Sequence, residues 1–190
     1  NYSTSGTTTY TAQTANPLTP ILVGGATDTR DRGPTVDGVS YPGVTVLRTD
    51  TINAALANGN VKVVATGLID AMGWGLDEVV YPNHFINSTT TNKLTLQAGT
   101  SITLGSYKFN LPNGSFELLA GTTISQLGGT TTGGAIYANT LILGSSNGGT
   151  NKPAVNLTAA SNYITNLQAS NVGSVNLYNV SALAVNSSNV

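Results

Sequence analysis

The sequence contains no cysteine and one residue each of histidine, methionine and tryptophan in 190 positions. Without cysteine there is no disulfide, no thiolate metal ligand and no cysteine nucleophile. With His84 as the sole histidine, a site built on several imidazoles cannot form within one chain. Charge is scarce as well: Lys, Arg, Asp and Glu make up 8% of the residues, against about 25% in an average globular protein. A net charge of −1 leaves no basic footprint for nucleic acid. No apolar run approaches the roughly 20 residues that cross a bilayer, so membrane insertion is not expected. The 39% hydrophobic content also excludes the low-hydrophobicity, high-charge class that stays unfolded. The chain starts at Asn1 with no Met or signal peptide, which reads as a mature chain or an excised fragment.

What replaces the charge is Thr (29), Asn (21) and Ser (16). Eleven of the fifteen charged residues lie in the first 78, and from Leu118 to Val190 the only one is Lys152. The surface of that segment must be solvated by hydroxyls and amides. Thr suits exposed strand faces, while Asn, Ser and Gly suit tight turns.

Three regions follow from the pattern. Residues 1–50 read as an extended Thr-rich arm (1–20) and an irregular β region, with short β-prone pieces at Ile21–Val23 and Val44–Leu47. Residues 51–93 begin with a short helix at about 51–57, in which Ile52, Ala55 and Leu56 form one apolar stripe. Asp50 or Thr51 caps its start, and Asn58-Gly59 is expected to supply a left-handed residue at its end. Val61–Ala65 then reads as a strand, followed by an aromatic-bearing insertion over 66–93. Residues 94–190 alternate plainly.

This last region repeats. LTLQAGTSITL (94–104) superposes on FELLAGTTISQ (116–126) at a spacing of 22, and Val155-Asn156-Leu157 on Val175-Asn176-Leu177 at a spacing of 20. Short alternating strands recurring at such a period indicate a solenoid. One repeat cannot bury its own apolar face, whereas stacked coils share a continuous core. The fold class expected is all-β: a parallel β-helix with coils of about 20–22 residues and a less regular N-terminal region. Leu94, Leu96, Phe116, Leu118, Val155, Leu157, Val175 and Leu177 would point inward. An antiparallel β-sandwich is the alternative, because it uses the same alternation.

TINAALANGNVKVVA (51–65), KLTLQAGTSITL (93–104) and AVNLTAASNYITNLQASNVGSVNLYNVSALAV (154–185) resemble filamentous-haemagglutinin-type adhesins, the large two-partner-secreted exoproteins of Gram-negative bacteria. The resemblance implies a right-handed β-helix, and a secreted, extracellular or cell-surface location. It also implies a structural or adhesive role with no enzymatic activity and no cofactor. The implied partner is a glycan or protein on a host or neighbouring cell, or further copies of the chain. The secretion-domain motifs NPNL and NPNGI of that family are missing; LPNG (111–114) and YPNH (81–84) come nearest. A downstream segment of a longer adhesin, or a relative with the same fold, therefore fits better than the secretion domain itself. The family also lacks cysteine, which suits chains threaded unfolded through an outer-membrane pore.

Two other functions are weighed. One is a subunit of a self-assembling surface filament, joined by strand addition of the Thr-rich arm or by end-to-end stacking. The other is a polysaccharide-acting β-helix enzyme. Glycoside hydrolysis needs two carboxyl groups about 5–10 Å apart. In the repeating region Glu117 is the lone acid, with Thr95 and Asn139 expected beside it at the 22-residue spacing. Asp77 and Glu78 are adjacent and would face opposite ways on a strand. Asp28, Asp31 and Asp37 match no calcium-loop spacing, and interleaved Arg30 and Arg32 suggest a salt-bridged loop. The insertion gathers Trp74, Tyr81, His84 and Phe85. These are the candidate partner-binding residues, since exposed aromatics on a rigid scaffold mark binding sites; alternatively they cap the core.

Overall fold

The computed structural model describes residues 2–4, 6–11, 21–23, 35–36, 39–40, 45–47, 49–71, 86–105, 108–127 and 134–187. In chain order they form β1 (Tyr2–Thr4), β2 (Thr7–Thr11), β3 (Ile21–Val23), β4 (Thr35–Val36), β5 (Val39–Ser40), β6 (Thr45–Leu47), α1 (Thr49–Leu56), β7 (Asn60–Ala65), β8 (Ile69–Ala71) and β9 (Ile86–Asn87). There follow β10 (Lys93–Ala98), β11 (Ser101–Leu104), β12 (Phe109–Ala120), β13 (Thr123–Gln126), β14 (Ile136–Ser145), β15 (Ala154–Ser170), β16 (Ser174–Asn179) and β17 (Ala184–Ser187).

The fold is all-β, predominantly parallel and β-helix-like. Three ladders carry it. The first joins β2, β7, β10, the end of β12, the end of β14, the end of β15 and β17. The second joins β6, β3, β8, β11, β13, the start of β15 and β16. The third joins β9 to the starts of β12 and β14 and the middle of β15. β15 thus contributes to all three ladders, bending as it passes between them. The antiparallel sandwich is not the architecture. Among the described residues only β1 with β2 and β4 with β5 pair antiparallel.

Alternation decides what lies inside. In β7 the pattern NVKVVA buries Val61, Val63 and Ala65 and turns Asn60, Lys62 and Val64 outward. Parallel in-register pairing repeats that choice at each rung. Val61, Leu94, Phe116, Leu141 and Leu167 stack in one inner row, and Val63, Leu96, Leu118 and Leu143 in the next. Across the core Ile69, Ile102, Ile124 and Val155 form a third row. Phe109 and Phe116, at the two ends of β12, stack with centroids 4.8 Å apart. Of the eight residues expected inside, six are fully buried; Val175 and Leu177 are half-buried because they belong to the last rung.

The rungs are not uniform. Leu94 faces Phe116 at a spacing of 22 and Val155 faces Val175 at 20, as the repeats imply. Phe116 faces Leu141 at 25, Leu141 faces Leu167 at 26, and Ile124 faces Val155 at 31. A constant coil of 20–22 residues is therefore incorrect: the strands keep their register while the corners between them vary in length. The corner from the first ladder to the second stays short over three rungs, at 66–68, 99–100 and 121–122, before it lengthens to eight residues at 146–153. A Cβ on Gly121 would press against the carbonyl oxygen of Gly99, and one on Gly99 against that of Thr66. Glycine is needed there for close stacking of successive corners.

The helix forms where its apolar stripe places it. Ile52 and Leu56 are fully buried and Ala55 is partly buried against the core. A helix of eight residues does not hold by itself in water, so docking must stabilise it. The Asp50 carboxylate accepts from the Thr51 amide at 2.8 Å, which suits the positive end of the helix. At the other end the Leu56 carbonyl accepts from Asn92 Nδ2 at 2.7 Å and from Thr90 Oγ1 at 3.2 Å. The Asn53 side chain accepts from the Asn87 amide of β9 at 2.9 Å. The left-handed residue expected at Asn58-Gly59 is absent, since neither has positive φ. Gly59 serves a different need: a Cβ there would strike the Gly6 carbonyl oxygen. Leu56→Asp should therefore undock α1 and speed amide exchange across 45–65, while the strands after Leu94 stay protected. Unchanged exchange across 45–65 would contradict this dependence.

Candidate functional site

Trp74, Tyr81, His84 and Phe85 lie outside the described residues, as do Asp77 and Glu78, and Asp28, Asp31 and Asp37. Of the segment 66–93, Ile69–Ala71 belongs to the second ladder and Ile86–Asn87 to the third, so the insertion between the ladders is confined to 72–85. One rung later residues 105–108 connect the same two ladders, from Leu104 to Phe109. The 14 residues 72–85 thus take the place of a four-residue corner.

Asp70 stands immediately before this insertion. It points outward from β8, opposite Thr103 in the next rung. Its Oδ1 is buried with no hydrogen-bond partner, and burial raises its pKa from 3.8 to about 6. Desolvation disfavours the charged form, so the folded state holds this proton more tightly than the unfolded chain. Folding is then unpenalised below about pH 3.8, and stability falls as pH rises through about 6. Asp70→Asn should raise stability at neutral pH by about 1 kcal/mol, allowing for the water that reaches its open side. The gain should vanish near pH 3.5. Urea unfolding of both proteins at the two pH values checks this; an equal difference at both would contradict it.

Glu117 has the neighbour expected on one side and a different one on the other. Thr95 is its register partner and donates from Oγ1 to Oε2 at 2.7 Å. Lys93 Nζ lies 3.0 Å from the same oxygen. On the far side the partner is Ile142, not Asn139, because that rung is three residues longer than the repeat spacing. No second carboxylate is paired with Glu117 in either adjacent rung. Its described interactions hold the outer face of β10 to that of β12. Among the described residues no three His, Asp or Glu side chains converge as a metal site would need.

The outward row of the third ladder carries a different chemistry. Asn87, Asn110, Tyr137 and Tyr163 occupy successive rungs. The two tyrosine rings stack with centroids 4.4 Å apart and planes 16° from parallel. Lys108 Nζ sits 3.9 Å from the centroid of Tyr137, within the range of a cation–π contact. Burial, then the charge and hydrogen bond of the neighbouring Tyr163 hydroxyl, push the Tyr137 phenol above its ordinary pKa. Tyr163 remains 42% exposed. Beside them Asn110 Nδ2 donates to Asn87 Oδ1 at 2.7 Å. The result is an ammonium, two phenols and two carboxamides in a fixed column parallel to the stacking direction. Sequence reasoning did not find this column. Tyr137 and Tyr163 are 26 residues apart, and only the unequal corner lengths bring them into register.

Compared with known proteins, the chain matches no family model, no curated protein and no solved structure.

Proposed function

We propose that this chain is a non-enzymatic structural and adhesive element: a right-handed parallel β-helical solenoid of the filamentous-haemagglutinin type, secreted and displayed at a cell surface. The observation that carries the reading is the in-register parallel pairing of rung on rung. Such pairing makes a stiff body whose outer rows hold Thr, Asn and Ser at fixed intervals. A surface of this kind offers rows of uncharged hydrogen-bonding groups to a glycan or protein on another cell. The cysteine-free composition and the phrasing of residues 51–65, 93–104 and 154–185 support the same assignment. The test is saturable binding of the labelled chain to intact cells, with polygalacturonate and other acidic glycans left uncleaved. Absence of saturable binding, or release of reducing ends from the glycans, would refute it.

Self-association into a filament is the second reading, favoured by the rung of β16 and β17. There Val175, Leu177 and Leu183 are only partly buried and Val185 is 60% exposed. Sedimentation velocity of the purified chain over a range of concentrations distinguishes the two: growth in mass with concentration supports filaments, and a constant monomer removes them.

A further inference from the structure

We propose that Lys108, Tyr137 and Tyr163, with Asn87 and Asn110, form a binding strip for an extended, carboxylate-bearing glycan. The inference deepens the adhesive reading and rests on it; what it adds is a site and a ligand class.

Four observations support the strip. First, Tyr137 and Tyr163 stand on the outer face with their rings stacked on each other, so their edges and phenol hydroxyls are the groups that meet the hydroxyl rim of a sugar. Second, the amide pair is only half used. Asn110 Nδ2 is bonded to Asn87 Oδ1, and among the described residues Asn87 Nδ2 has no acceptor and Asn110 Oδ1 no side-chain donor. Third, neighbouring rungs lie about 4.8 Å apart, comparable to the advance of one pyranose along an extended chain. A column of four rungs therefore meets successive sugars in register. Fourth, the charge is one-sided. Lys108 is held over Tyr137, and among the described residues no carboxylate pairs with it. The acid on the adjacent face, Glu117, is paired with Lys93. An ammonium with an aromatic contact and no carboxylate partner among the described residues favours an anionic ligand over a neutral one.

The groups are also pre-organised. Tyr137 is fixed between Lys108 and Tyr163, and the amides are fixed by each other. Ligand binding then costs little side-chain ordering. An isolated exposed tyrosine would lack this advantage.

The test uses the full chain and two probes: an oligogalacturonate, and the same oligosaccharide with its carboxyl groups reduced. Calorimetry or chemical-shift titration should show saturable binding of the acidic probe. The neutral probe should bind more weakly. Lys108→Gln should weaken the acidic probe by about threefold to fivefold and the neutral one by less. Tyr163→Ala should weaken both by about tenfold, and Tyr163→Phe, which keeps the stack, by less. Far-UV circular dichroism should be unaltered in each variant. Equal affinity for the two probes, no saturation at millimolar concentration, or wild-type binding by Tyr163→Ala and Lys108→Gln would overturn the strip. Cell binding that survives the double variant, or that is lost when the target cells are treated with protease and kept after glycosidase, would also overturn it. Either result would leave the adhesive reading standing. Loss of cell binding in the double variant, together with loss of probe binding, would support both.

Discussion

Asn162→Ala is expected to lower unfolding free energy by about 3–5 kcal/mol, the largest effect of any single polar substitution in this chain. Asn162 is fully buried in β15 and its carboxamide is fully used. Oδ1 accepts from Gln126 Nε2 at 2.8 Å and from the Ile136 amide at 3.0 Å. Nδ2 donates to the carbonyls of Leu157 and Tyr178, each at 2.9 Å. These partners belong to three successive rungs, so one side chain ties β13, β14 and β16 at a corner. Alanine would take the acceptor from the buried Ile136 amide, one of the partners of the Gln126 carboxamide, which keeps its bond to the Gly134 carbonyl, and a donor from each of the Leu157 and Tyr178 carbonyls. Each unsatisfied group costs about 1–3 kcal/mol, and incomplete relaxation keeps the total below their sum. One rung later Asn179 repeats the device. Its Oδ1 accepts from the Ile164 amide at 2.8 Å and its Nδ2 donates to the Ile164 carbonyl at 3.0 Å. That site is half exposed, so water can replace the lost bonds and Asn179→Ala should cost about 1 kcal/mol. Urea denaturation of the two variants checks the contrast. A loss below 1 kcal/mol at Asn162, or equal losses at both, would contradict the structural role assigned to the buried amide.

Leu118→Ala should cost about 2–5 kcal/mol by leaving a cavity in the middle of the core. Leu118 is fully buried, with Leu96 below it and Leu143 above it in the same inner row. Both neighbours are fixed by ladder hydrogen bonds and cannot collapse far into the space. Leu157 is likewise buried, below Leu177 of the last rung, and Leu157→Ala should fall in the lower part of the same range. Val185 stands in register with Leu167 but is 60% exposed. Val185→Ala should therefore change stability by less than about 0.5 kcal/mol. Equal effects at Leu118 and Val185 in thermal or urea unfolding would mean that the rungs do not share the continuous core described above.

The column of Lys108, Tyr137 and Tyr163 and the cluster of Gln126 and Asn162 were both invisible before folding, for one reason. Each depends on which residues become neighbours across rungs. Local alternation cannot supply that when the connections between strands vary from two residues at 99–100 to 14 at 72–85. In the sequence Gln126 is the polar residue that ends the repeat FELLAGTTISQ. In the fold it takes an inward place next to Leu104, and it is tolerated there because Asn162 and the Gly134 carbonyl satisfy its amide. Asn58-Gly59 read as a left-handed helix end, whereas the glycine is required by the approach of the Gly6 carbonyl from another strand.

Period-two alternation and the repeat at a spacing of 22 determined the strand segments and the inward set from Leu94 to Leu157, and the three- and four-residue spacing of Ile52, Ala55 and Leu56 determined the short helix. An apolar side chain on a strand has one of two faces to choose, and the water-excluding face is set by its own neighbours two residues away. Tertiary structure alone decided the unequal rungs, the bend of β15 through three ladders and the outer columns they assemble. Those follow from corner lengths and backbone stacking between residues 17 to 53 positions apart, a separation over which chain entropy, packing and hydrogen-bond satisfaction must be resolved together.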